Sequence, residues 1–155
     1  MSVSLIVPRL EELWFRQTML ADPETMAYNH AWGGVIPFPR ERWQPWYDRW
    51  VARPEGQRFY RYVANEAGRF VGEAAYHYDG ELGVYLADVI VHAPERGRGY
   101  GGAALEALCR AAKDNGLAEL RDNIAIDNPA AVFFLRHGFA EEYRTDAIIM
   151  LRKQL

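Results

Sequence analysis

The segment Leu86-Ala87-Asp88-Val89-Ile90-Val91-His92-Ala93-Pro94-Glu95-Arg96-Gly97-Arg98-Gly99-Tyr100-Gly101-Gly102 constrains this chain more than any other. An apolar run with strand character enters a glycine-rich loop, and the loop opens a helix. The first amides of a helix have no intrahelical acceptor, and the helix dipole places partial positive charge there. Glycines let a ligand approach the backbone closely. Arg96 and Arg98 add charge, and no acidic residue stands in the first helical turn. The segment therefore reads as a phosphate or pyrophosphate site. The plain alternative is a tight turn with solvated arginines. Four glycines interleaved with two arginines, after a strand and before a helix, argue against it.

The rest of the pattern places this segment in a mixed sheet. A short strand near Leu5 to Pro8 precedes helical segments at Leu10 to Leu20, from Asp22-Pro23-Glu24, and from Arg40 to Val51. The Asp-Pro-Glu start has a capping residue, a first-turn proline and an acid at the positive end of the dipole. Trp43, Trp46, Tyr47 and Trp50 are spaced for one helical face, with Pro45 predicting a kink or a later start. Residues 58–92 alternate as three strands, Arg58 to Ala64, Arg69 to Tyr78 and Leu82 to His92, joined by short turns. After the loop come a helix from Tyr100 to Asn115 capped by Gly116, and a strand from Glu119 to Ile126. A short helix from Pro129 to His137 and strands Ala140 to Arg144 and Ala147 to Leu151 follow. The expected fold class is α+β (mixed α/β), one domain around one central sheet.

A chain of 155 residues suits one domain with one hydrophobic core. Net charge is only −3 and the basic residues are scattered, so no nucleic-acid partner is expected. The single cysteine, Cys109, excludes an internal disulfide and a cysteine zinc site, and reads as a small buried residue. The four histidines show no H-x-x-x-H spacing, and no metal is expected. The start, Met1 to Arg9, has no basic leader or long apolar run, so neither a signal peptide nor a membrane span is read, and the expected compartment is cytoplasmic.

Three phosphate-binding classes compete for the loop. Gly97-x-Gly99-x-x-Gly102 matches the dinucleotide fingerprint literally, and Glu119 sits at a fitting distance downstream. Against it, His92 to Glu95 separate strand and glycines, and too little chain follows Gly102 for the alternating domain. A P-loop would need Gly-Lys-Ser/Thr, and a kinase loop would need partner motifs; both are missing. The third class fits. Arg96-x-x-Gly99-x-Gly101 resembles the Gln/Arg-x-x-Gly-x-Gly/Ala signature of the GNAT superfamily of N-acetyltransferases. Val89 to Glu95 resembles that family's fourth strand. Asp127-Asn128-Pro129-Ala130-Ala131, followed by Phe133-Phe134-Leu135-Arg136-His137-Gly138-Phe139, resembles its second signature, an Asn-led helix ending in Gly-Phe. The similarity spans residues 58–151 and is thin over 1–57.

The resemblance implies a single GNAT-like domain. Its central twisted, mostly antiparallel sheet would carry helices on both faces, and strands four and five would splay. Residues 1–57 would build the acceptor side, and 58–155 the sheet and the acetyl-CoA-binding core. It implies acetyl-CoA as co-substrate, its pantetheine arm lying between Leu82 to His92 and Glu119 to Ile126. The implied cofactor-binding residues are Val89, Ile90, Val91, Arg96, Gly97, Arg98, Gly99, Tyr100, Gly101, Gly102, Asn128 and Phe134. Asn128 is equally a good helix cap. The Val89 N–H would stabilise the developing oxyanion.

Asp88, an acid within an apolar strand, is the expected base or amine anchor, relaying a proton through water; capping a bulge or pairing with an arginine is the alternative. Glu73 and Glu81 read as solvated. Phe134 stands where many family members carry a general-acid tyrosine. A thiolate leaves unaided more readily than an alkoxide, and Tyr143 and Tyr100 are the substitutes in view.

For the acceptor, His30 and Trp32 in the Gly/Pro-interrupted loop Asn29 to Pro39, with Tyr76 and Tyr78 (His77 between them), are the expected substrate-binding residues. An ordinary aromatic core is the competing reading. The function expected is N-acetyl transfer to the primary amine of a small molecule by direct attack. The alternatives are an acetyl-CoA sensor without turnover and a protein N-terminal or lysine acetyltransferase. A homodimer through the last strands or the Trp-rich face is compatible with the pattern, but no sequence argument selects it.

Overall fold

The computed structural model describes residues 2–53 and 57–155; Met1 of the amino-terminal reading and residues 54–56 of the acceptor-side segment lie outside the described residues. A seven-stranded mixed sheet runs in the order β1-β2-β3-β4-β5-β7-β6. The strands are β1 (Ser4–Ile6), β2 (Arg58–Ala64), β3 (Phe70–Asp79), β4 (Val84–Val91), β5 (Glu119–Ala125), β6 (Ala140–Arg144) and β7 (Ile148–Gln154). Neighbours are antiparallel except β4 and β5, which are parallel and pair only at Leu86 and Arg121. The sequence spacing explains this. Links of five and four residues join β2, β3 and β4, whereas a parallel partner needs a crossover, which the loop and α3 (Tyr100–Asp114) supply.

Each face of the sheet is covered. Side chains alternate along the strands, so Ala74 and Tyr76 of β3 and Ala87 of β4 face one way, and Val71, the extra residue at the β2–β3 register shift, joins them. They pack with Ala104, Leu105, Leu108 and Cys109 of α3 and Phe134 of α4 (Ala130–Arg136). Tyr60 and Tyr62 of β2, Ala75 of β3 and Ile90 of β4 face the other way. They pack with Phe15, Met19 and Leu20 of α1 (Trp14–Ala21) and Trp43 of α2 (Trp43–Tyr47). Full burial of a leucine such as Leu105 or Leu108 contributes about 1.5–3 kcal/mol.

The amino-terminal helices are shorter than the periodicity predicts. Leu10–Glu12 is a 3-10 turn before α1. Asp22 starts no α-helix: its carboxylate accepts from the Thr25 hydroxyl (2.5 Å) and closes a turn, and the chain enters a 3-10 stretch, Ala27–Trp32, that ends in left-handed Gly33. The stretch expected from Arg40 to Val51 divides into a 3-10 turn (Arg40–Arg42), α2 and a wide π turn (Asp48–Ala52). Pro45 is tolerated because it falls in the first turn of α2, where its N–H is not needed.

Gly72 of β3 has a steric reason: a Cβ there would lie 2.2 Å from the Ile90 carbonyl oxygen of β4. Only a residue without one lets these two strands approach at that level.

Candidate active site

From their one paired position, β4 and β5 diverge into a slot. In the antiparallel β3–β4 ladder every second residue of β4 turns its N–H and C=O away from β3. Beyond Leu86 no β5 partner meets them, so these groups face the slot. The slot belongs to a cleft of about 1160 Å³. Leu86 through Val91 form one wall, and Asp122, Asn123 and Ile124 the other; Asn128, Phe133 and Phe134 lie beyond β5, and Tyr28, His30, Trp32 and Ile36 lie toward the α1 side.

One end of the slot meets the start of α3. Gly97 and Gly99 adopt positive φ (79° and 84°), turning the chain so that α3 begins beneath the loop. No side chain caps this helix, no acid stands in its first turn, and Gly99 through Gly102 line the cleft. Its free amides are therefore donors presented to an anion. Gly101 leaves ordinary contact room toward Phe133 and Val91, whereas Gly102 serves packing: a Cβ there would fall 2.6 Å from His137 Nε2.

The two arginines divide in role. The Arg96 guanidinium donates to the carbonyls of Val91 (3.3 Å), Glu24 (3.2 Å) and Thr25 (2.8 Å), so it lashes the loop to the segment after α1. Thr25, fully buried, accepts from the Ala93 N–H at 3.0 Å and completes that tie. Arg98 is exposed on the loop and is not part of the cleft wall. Asn128 accepts from the Ala130 N–H (2.9 Å), which starts α4, and it also lines the cleft. Phe134 lines it from the buried side, edge-on to Phe139.

Asp88 sits on the α1/α2 face of β4, open to the cleft. Its carboxyl is pushed up to about 6, first by the protein packed around it and then by Glu73, with Arg16 opposing. Glu73 is not solvated: it is 2% exposed, and Arg16 Nη1 meets both of its oxygens at 2.6 Å. The Arg16 guanidinium also lies over the rings of Trp46 (4.4 Å), Phe38 (5.1 Å) and Tyr60 (5.5 Å). Burial is the largest influence and lowers the Arg16 pKa, and the charge of Glu73, with Tyr60 and Asp88, together more than offsets it. Glu73 pairs in register with Ile90, and Ala75 with Asp88, so Glu73 and Asp88 are diagonal neighbours on one face.

Of the expected acceptor residues, His30 and Trp32 line the cleft. His30 Nε2 lies 3.4 Å from Asp127 Oδ2 across its mouth, and Trp32 is 55% exposed. Their loop is held by Asn29 Nδ2 donating to the Gly34 carbonyl (2.8 Å) and by the Ile36 N–H donating to Leu20 (2.9 Å). Tyr76 is instead a core residue, 4% exposed, stacked on Phe59 and accepting from Asn115 Nδ2 at 2.8 Å. The strand alternation that sends Ala75 to the α1 side sends Tyr76 to α3. Tyr78 packs against Tyr85 outside the cleft wall, and Glu81 is exposed in the turn after β3.

Two cleft residues carried no local signal in the sequence. Tyr28 is held neutral by burial and by the charges of Asp88 and Glu73. Asp122 of β5 is pushed well above the usual carboxylate range, first by burial and then by Asp88. No group of three or more metal-ligating side chains occurs among the described residues, and none of their helices is long and apolar enough to cross a membrane.

Comparison with known proteins fits this geometry. The model of the Acetyltransferase (GNAT) family matches residues 14–139. Spermidine N-acetyltransferase from Vibrio cholerae, solved in complex with CoA and spermine, superposes with a TM-score of 0.80 at 15% identity, covering 99% of this chain and 95% of that one. A GNAT-family acetyltransferase from Bacillus anthracis gives 0.77 at 15% identity, with 99% and 95% covered. The GNAT domain of PAT from S. lividans gives 0.77 at 16% identity, with 99% and 89% covered. Among curated proteins none matches this sequence.

Proposed function

Because the chain belongs to the GNAT acetyltransferase family, we propose that it transfers the acetyl group of acetyl-CoA to the primary amine of a small, positively charged molecule. The observation that carries this reading is the slot between β4 and β5, which runs from the uncapped start of α3 to Asp88. A pyrophosphate suits one end and an ammonium group the other.

Each part of the chain has work in that reaction. The amides from Gly99 to Gly102 hold the pyrophosphate, and the unpaired groups of Val89 and Val91 hold the extended arm. The Val89 N–H stabilises charge on the thioester oxygen as nitrogen adds. Asp88 takes the amine proton, directly or through a water. With a pKa near 6 it is about nine-tenths ionised one unit higher, and it is far more basic than a free aspartate. Acetyl-CoA supplies an activated acyl group with a thiol as leaving group.

Asp88 and Asp127 in the cleft wall and the exposed Trp32 ring favour a cationic acceptor. Arg16 does not counter them, because Glu73 already neutralises it.

Calorimetric titration with acetyl-CoA tests the first half. Wild type should bind. Gly101→Glu, which sets a carboxylate among the free amides, should abolish binding while the melting curve stays that of a folded protein. A thiol-release assay over a panel of amines and amino acids tests the second half. Absence of binding by folded wild type would refute the reading.

A further inference from the structure

The slot carries acids on both of its faces. In β4, Asp88 is in register with Ala75 and shares the face of Ile90, covered by α1 and α2. In β5, Asp122 lies between Leu120 and Ile124 and opposite Leu151, all packed under α3 and α4. Alternation puts its side chain on that face. Asp122 also follows Arg121, the last β5 residue paired with β4, so it stands at the fork where the slot begins, in the same wall as Phe134. The two carboxyls thus approach the gap from opposite sides of the sheet. Resting on the acetyl-transfer reading above, we propose that Asp122 is the catalytic proton donor to the departing thiolate, acting across the slot from Asp88.

The step balances. The acceptor first releases its ammonium proton to solvent; the amine nitrogen then forms the C–N bond with the thioester carbon and passes one further proton to the Asp88 carboxylate. The C–S bond breaks, its electron pair stays on sulfur, and sulfur takes the proton of the Asp122 carboxyl. Asp88 ends protonated and Asp122 ionised. Proton exchange through the open cleft restores both, with no other reactant consumed.

The electrostatics agree with this division of roles. The charge of Asp88 helps hold Asp122 in its protonated form, while Asp88 itself ionises near pH 6. Two carboxyls whose environments separate their titrations divide into a base and an acid. Phe134 has no proton to give. Tyr100 in the wall is buried, and its hydroxyl is engaged by Asn65 Nδ2 at 3.4 Å. Tyr28 lies on the acceptor side.

The test compares wild type with Asp122→Asn and Asp122→Ser. The acceptor is the fastest of putrescine, tyramine, glycinamide and lysine with wild type. Expected for both variants is a kcat lower by about 10²-fold, the low end for general acids because a thiol leaves readily. The alkaline limb of the wild-type kcat profile should vanish, and the calorimetric Kd for acetyl-CoA should stay within twofold. A merely structural aspartate would not remove that limb selectively. A kcat within threefold of wild type in either folded variant, or an alkaline limb retained in both, overturns the proposal and leaves acetyl transfer standing. Wild type that binds acetyl-CoA but acetylates no amine overturns both.

Discussion

Replacing Arg16 by Met tests the electrostatic support beneath the acceptor side. The Arg16 and Glu73 side chains are 17% and 3% exposed and meet at 2.6 Å. Methionine keeps most of the arginine's apolar volume between Trp46, Phe38 and Tyr60 but removes the cation. Glu73 is then a carboxylate without its partner under a closed aromatic layer. Removing one member of a buried pair costs about 3–5 kcal/mol, chiefly through the stranded charge. At this chain length one kcal/mol moves the melting temperature by about 2–4 °C, so the expected drop is about 6–20 °C. Adding Glu73→Leu should recover most of it, because the stranded charge is then gone. Thermal and urea unfolding of wild type, both single variants and the double variant close the cycle. A loss below about 1 kcal/mol for Arg16→Met, or a double variant no more stable than that single variant, would refute the reasoning. The same variants bear on Asp88: Arg16→Met should move its titration upward and Glu73→Leu downward.

Wild-type kcat/KM should have an acid limb near pH 6 that Asp88→Asn abolishes, with activity lower by about 10²-fold or more at pH 8. The same variant should melt higher than wild type at pH 7.5. The folded Asp88 pKa lies above its unfolded value, so its favourable contribution is complete below about pH 4 and is lost as pH rises through 6; the gap in melting temperature should close below pH 4. Gly72→Ala should destabilise by about 3 kcal/mol or prevent folding, because the Ile90 carbonyl it strikes is backbone and has little room to yield. Gly102→Ala should cost about 1–3 kcal/mol, with partial rescue by His137→Ala, since the obstacle there is the imidazole.

How far the fold was legible in the sequence depended on how local its causes were. The strands from Arg58 onward announced themselves because alternation and short turns are encoded within a few residues. Helix α3 did so through its apolar stripe and Gly116. The amino-terminal third resisted the same treatment. There the chain is shaped by ties across sequence, such as Arg96 reaching the carbonyls of Glu24 and Thr25 and the Thr25 hydroxyl meeting the Ala93 N–H. Those ties hold a 3-10 stretch where the Asp-Pro-Glu signal pointed to a regular helix.

The candidate site divides along the same line. A glycine-rich, uncapped helix start is a local motif, and that of Gly97 to Gly102 could be read directly. A charge's environment is not local. Glu73 looks like a surface residue until β3 is placed under α1 and Arg16 is seen against it. Asp122 looks like one polar position in a strand until the parallel register of β4 and β5 leaves it at the fork of the slot. Tyr76 errs in the opposite sense: as an aromatic next to His77 it looked like a pocket residue, yet parity along β3 sends it to the α3 core. The sheet's two faces therefore carry functional information that spacing alone lacks. Asp88 on one face and Asp122 on the other come to line one cleft because β4 and β5 stop pairing beyond Leu86 and Arg121.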